Sequence, residues 1–327
     1  TTTIMEWLKT PETFLPGFEQ CKYFNMHGQR IEFFQQRILR KIRKDHPEMM
    51  IGLKCPSSMR TGIFEFTISK YFPETDLIVG LRHPVRWFES YYNYRVAQLV
   101  NSETYKYTPL AYDLVGSRCN LGHDWWVCTD AAKFAVAMSK MGKTKMDKDE
   151  IDLLLDMAVT EKQRRGFEQY LNHPGRVKLS NRVFVYDIEQ LSDKNETRRG
   201  IFSADLARFI GLKGKLPPPP VVNRNKVEST TDTEGNKRRR LLMGSTEDKQ
   251  MENIKESEKL ELAARNNKLR IDICDKEFKY LREILVADAR KTTKWLTDYF
   301  LAHGHNVFVS EKEFFFKIIK SWNEDPC

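Results

Sequence analysis

Leu77-Ile-Val-Gly-Leu-Arg-His-Pro-Val-Arg-Trp-Phe-Glu-Ser-Tyr-Tyr-Asn-Tyr-Arg95 is the stretch on which the fold turns. Its first part, Asp76 to Arg82, is a continuous β-rich run of the kind buried on both faces of a parallel sheet. His83-Pro84 stops the strand. Proline suits the first turn of a helix, and Val85 to Val96 then continues with helical periodicity. An arginine at the end of a parallel strand projects from the carboxyl edge of the sheet, where α/β folds bind ligands. Ser90 follows Arg82 by about two helical turns, so a phosphate fits between the guanidinium and the hydroxyl. The guanidinium offers planar two-point hydrogen bonding to such a group, and the serine adds a neutral donor.

Working outward, Thr3 to Lys9 reads as a helix with Ile4, Trp7 and Leu8 on one face, ended by Pro11. Gln29 to Lys44 is a second amphipathic helix, because Ile31, Phe34, Ile38 and Ile42 recur at helical spacing. Met50 to Leu53 is a short buried strand leading into Lys54-Cys55-Pro56. A helical region from about Asp149 to Leu171 precedes a further strand, Arg182 to Tyr186, and Ile273 to Phe300 is again amphipathic helix. Strands alternating with helices predict an α/β fold, a parallel β-sheet flanked by helices. Between them, Lys213 to about Leu260 holds four consecutive prolines, Pro217 to Pro220, and a polar tract that can bury little apolar surface. The expected organisation is an α/β domain over 1–212, a polar linker or insertion over 213–260, and a helical part of the same domain over 261–327.

Composition narrows the class. The 327 residues are 40% apolar, enough for one large core or two modest ones. No stretch approaches the roughly 20 apolar residues of a membrane helix, so any anchor is expected upstream of residue 1. The formal charge of +9 favours anionic partners. Lys237 to Arg240 contributes to it from a polar stretch and reads as a solvated linker; with no zinc-finger spacing or RNA-binding aromatic signature beside it, no nucleic acid partner is expected. Six cysteines occur without any Cys-x-x-Cys pair, which argues against a metal site. Cys119 and Cys128 flank a short segment and suit a disulfide in an oxidising compartment, although free thiols fit equally well. Asn195-Glu196-Thr197 fits a glycosylation sequon.

A strand, Arg-x-Pro, then Ser at this spacing resembles the 3′-phosphate-binding segment of sulfotransferases that use 3′-phosphoadenosine-5′-phosphosulfate (PAPS). The likeness is nearest to the Golgi branch acting on glycans of the heparan sulfate type, in which an acidic residue stands where His83 stands here. The resemblance implies a P-loop-type sulfotransferase fold with Arg82 and Ser90 on the 3′-phosphate. Thr1-Thr2-Thr3 resembles the end of the family's 5′-phosphosulfate loop, whose lysine and glycine, with the strand before them, would fall ahead of residue 1. Gly52-Leu-Lys-Cys-Pro-Ser-Ser58 resembles the segment after the second strand, which implies that Lys54 neutralises charge on the transferring group. The family's general base, a glutamate before a pair of aromatics, maps onto Phe18-Glu-Gln-Cys-Lys-Tyr-Phe24 with Gln20 in register. An amide cannot accept the proton, so Glu19 is the expected base after a shift of one residue; the other choices are His27 or an acceptor that needs no strong base. Arg182 to Tyr186 with Glu189 and Leu191 resembles the later strand and its acidic turn, and Arg270 matches a basic residue that closes over the cofactor.

The implied reaction is sulfuryl transfer from PAPS to an acceptor hydroxyl, leaving adenosine 3′,5′-bisphosphate and needing no metal. A glycan acceptor suits the basic excess and the Trp125-Trp126 pair, while a sterol, another lipid alcohol or a phenol stays open. An upstream anchor implies the Golgi lumen; without one the expectation is cytoplasmic. A catalytically silent nucleotide-binding relative is the second class. A P-loop kinase is the third: Asp187 could hold its magnesium, but the Gly-x-x-x-x-Gly-Lys motif is missing from the sequence.

Overall fold

The computed structural model describes residues 2–15, 29–54, 68, 70–99, 110–116, 130–139, 141, 145–158, 160–172, 178–219, 269–304 and 306–327. Five strands occur among the described residues: β1 (Thr13–Phe14), β2 (Met50–Ile51), β3 (Leu77–Leu81), β4 (Val183–Asp187) and β5 (Val307–Val309). β1 and β2 form one parallel pair, and the other three form a parallel sheet in the order β3-β4-β5. Parallel strands and flanking helices are thus present as the alternation of elements predicts.

The sheet's centre is β4. All five of its residues are buried, and the period-two alternation of a strand divides them between two cores. Val183 and Val185 enter a cluster with Leu81, Met138, Leu154, Trp295 and Phe315. Phe184 and Tyr186 enter a cluster on the opposite face with Ile4, Trp7, Phe202 and Leu206. Helices on both faces supply these partners: α1 (Thr2–Trp7) and the later Glu196–Ile210 on one side, Asp130–Met138, Lys148–Asp156 and Lys279–Trp295 on the other.

β3 departs from expectation. Its residues are mostly half-buried, Gly80 is exposed, and it is an outer strand of the three rather than the most enclosed one. Tyr186 explains why this position is a glycine, because its ring crosses the space a side chain at Gly80 would fill; a Cβ there would lie 2.5 Å from the Tyr186 hydroxyl.

The helical boundaries follow local chemistry. The Asp149 to Leu171 region is two helices, Lys148–Asp156 and Glu161–Leu171, each with its own cap. Asp147 accepts from the Glu150 amide at 2.7 Å, and Thr160 accepts from the Gln163 amide at 3.2 Å. The Gln29 to Lys44 helix runs Gln29–Phe33, a π turn over Phe34–Leu39, and Arg40–Asp45. Ile273 to Phe300 starts later than its apolar pattern suggests, with a 3-10 turn at Lys276–Phe278 before the helix Lys279–Trp295 and a π turn over Leu296–Phe300. Lys213 to Pro219 forms neither helix nor strand, and the rest of the polar linker lies outside the described residues. The described residues after 268 contribute β5 to the sheet as well as helices, and Trp295 and Phe315 join the cluster around Val183 and Val185. No described helix is long and apolar enough to cross a membrane.

Candidate active site

Arg82 follows β3 directly at its carboxyl end and is half-buried. The helix that follows, α2 (Pro84–Leu99), is started by His83. Its carbonyl accepts the first helical bond, from the Trp87 amide at 2.8 Å, and its ring Nδ1 accepts from the Val85 amide at 3.2 Å. His83 therefore serves as N-cap, with Pro84 at the first helical position, where no N–H is needed. A neutral imidazole does here what the carboxylate of an aspartate does at many helix starts.

His83 is 7% exposed, and burial pushes its pKa below the usual 6.5. Arg86 pushes the same way, while the Glu324 backbone, Glu189 and Asp325 oppose. The Nε2 atom has no partner within hydrogen-bonding geometry, so the Glu324 carbonyl acts on it only as a nearby dipole.

Packing orients α2. Val85, Phe88, Tyr92 and Val96 are buried at helical spacing against Leu114, Ile273, Leu281 and Leu285. Ser90 lies on the opposite, solvent-facing side and is exposed. Between these faces the helix carries two polar side chains that hold another part of the chain. Asn93 bonds the Ile271 backbone in both directions, donating to its carbonyl at 2.8 Å and accepting from its amide at 2.9 Å. Glu89 accepts from the Ile273 amide at 3.0 Å. Arg270, exposed, is the residue before this tethered segment, so it is delivered alongside the helix that bears Ser90.

The other expected site residues are less determined. Lys54 is half-buried three residues beyond β2, at that strand's carboxyl end. Thr2 and Thr3 open α1, whose apolar residues Ile4 and Trp7 dock on the same cluster as Tyr186. Thr1, Glu19, Gln20, His27, Trp125, Trp126, Cys119 and Cys128 lie outside the described residues. Asp187 spends its carboxylate on a capping box at the start of Ile188–Leu191, accepting from the Glu189 amide at 2.7 Å. Asn195 is exposed and caps Glu196–Ile210 through Oδ1, which accepts from the Arg198 amide at 3.0 Å.

Two groups beside α2 escaped the sequence reading. Cys274 and Cys327 form a disulfide. Arg282, a buried cation, donates to the Ile273 and Asp275 carbonyls at 2.6 and 2.9 Å and to Asp325 at 3.0 Å. An arginine within an amphipathic helix gives no sign of such a role; only its place among apolar positions, one residue after Leu281, hinted at burial. Comparison with protein-family models, with curated proteins and with solved structures finds no match.

Proposed function

We propose that the chain transfers a sulfuryl group from PAPS to an acceptor hydroxyl, on a glycan of the Golgi lumen. The observation that carries this reading is the arm from Arg82 to Ser90. A cation leaves the carboxyl end of a parallel strand, a neutral cap starts the helix at once, and an exposed hydroxyl follows two turns on. Arg270 is tethered beside it through Asn93. In this reading Arg82 and Ser90 hold the 3′-phosphate, Arg270 closes over the nucleotide, and Thr1, Thr2 and Thr3 lie at the 5′-phosphosulfate.

The acceptor oxygen attacks sulfur in line, the bond from sulfur to the phosphate oxygen breaks, and the electron pair leaves with adenosine 3′,5′-bisphosphate. Glu19 takes the acceptor's proton, and Lys54 balances the charge that grows on the transferring group. A disulfide between Cys274 and Cys327 suits an oxidising lumen.

Titration calorimetry with adenosine 3′,5′-bisphosphate and adenosine 5′-monophosphate tests the site. Arg82→Ala is expected to weaken the bisphosphate by about 1.5–3 kcal/mol, the worth of a hydrogen bond to a charged group, and to leave the monophosphate unchanged. Absence of binding by the unaltered protein refutes the reading. Transfer of radiolabelled sulfate from PAPS to a panel of glycans, sterols and phenols then separates an enzyme from a silent binder and identifies the acceptor class.

A further inference from the structure

The 322–327 segment lies across the start of α2. Trp322 is 3% exposed, and its ring sits 6.2 Å from that of His83. Arg86, in the first turn of α2, donates to the Pro326 carbonyl at 3.0 Å. Asp325 receives the buried Arg282 and the Cys327 amide, each at 3.0 Å. Cys327 is bonded to Cys274, which directly follows the segment that Asn93 and Glu89 hold against the flank of α2. The same helix is thus gripped at its first turn by one segment and along its side by another, and the disulfide joins the two. Arg282 reinforces the junction from beneath, since it bonds Ile273 and Asp275 on one side and Asp325 on the other.

We infer that this disulfide-closed strap is a positioning element for phosphate recognition: it fixes the first turn of α2, and with it the Arg82 to Ser90 arm, and opening the disulfide loosens the grip on a 3′-phosphate. The inference rests on the reading of Arg82 and Ser90 given above. A dithiol opens the strap by supplying two electrons and two protons; each sulfur gains one hydrogen, and the dithiol becomes its own disulfide. None of Trp322, Arg86, Asp325 or Cys327 touches the nucleotide in this scheme, so the strap acts through helix position alone.

The test compares the oxidised protein with the Cys274→Ser/Cys327→Ser variant, which leaves the other four cysteines unchanged. Nucleotide affinities and amide hydrogen exchange at residues 85–88 are measured on both. The expected result is about tenfold weaker binding of adenosine 3′,5′-bisphosphate, equal to one charge-assisted hydrogen bond, with adenosine 5′-monophosphate unchanged and faster exchange confined to the start of α2. Equal losses for both nucleotides, or unaltered exchange at 85–88, overturn the inference. Should the double variant fail to fold, Arg86→Met keeps the disulfide while removing the Pro326 bond, and it is read by the same two measurements. If the oxidised protein binds neither nucleotide, the phosphate reading fails. Hydrogen exchange still decides whether the strap holds the helix.

Discussion

A single methyl group at Gly80 tests how the sheet aims Arg82. Gly80 faces Tyr186 in the parallel register of β3 and β4. A Cβ at Gly80 meets the Tyr186 hydroxyl at 2.5 Å, Cζ at 2.7 Å and Cε1 at 3.2 Å. Two ring carbons are met besides the hydroxyl oxygen, so the whole ring has to swing. The ring is 3% exposed and packs edge-on against Phe202, with centroids 6.0 Å apart. Overpacking of this kind costs about 1–3 kcal/mol. Replacing glycine within a strand returns roughly 0.5–1 kcal/mol of backbone entropy, so Gly80→Ala is expected to lose about 1–2 kcal/mol. Urea unfolding of Gly80→Ala, Tyr186→Leu and the double variant gives the coupling directly. The shorter leucine leaves little to strike, so in its background the alanine becomes neutral or mildly stabilising. Additive costs would refute the steric argument. Because Arg82 leaves the strand two residues further on, the proposed function predicts that affinity for adenosine 3′,5′-bisphosphate falls along with stability in Gly80→Ala alone.

Two further outcomes follow from the capped helix. His83 has a lower pKa folded than unfolded, so its contribution to stability is complete above pH 6.5 and is lost as pH falls below that value toward the folded pKa. The unfolding free energy from urea titration is expected to drop as pH falls below about 6.5, by at most about 1.4 kcal/mol per pH unit for this one proton, and His83→Asn, which keeps a capping acceptor, flattens that part of the profile. Asn93→Ala removes both bonds to Ile271 and is expected to cost about 1–3 kcal/mol in thermal or urea unfolding; it also weakens the bisphosphate wherever Arg270 matters, which Arg270→Ala measures separately.

The parts of the fold that sequence revealed are those written in adjacent residues. β3, its stop at His83-Pro84 and the helix after it lie within a few residues of where periodicity places them, because the strand, cap and proline are local signals. The places of Arg82 at the end of the strand and Ser90 on the helix were legible for the same reason. Burial was misjudged, since an apolar run cannot say which strand is central; β4 holds that place because both β3 and β5 pair with it. The break within Asp149 to Leu171 was written at Thr160, whose cap is easily read as an ordinary polar residue of a longer helix. β5 is only three residues long and stands between helices, too short to show an alternation. The Cys274 to Cys327 pairing was beyond reach, because six cysteines allow fifteen full pairings and nothing in their spacing selects one. The Asn93 tether joins residues 178 positions apart, a distance over which no pattern operates.

The central place of β4 also governs how the protein is made. Its neighbours on either side come from remote parts of the sequence, so neither pairing forms by local zippering, and ring closure over long loops precedes any reward. Until both partners arrive, Val-Phe-Val-Tyr exposes an unpaired, sticky ribbon to whatever else is nearby. Completion of the sheet only after residue 309 has been made is therefore built into the order in which the polypeptide is read.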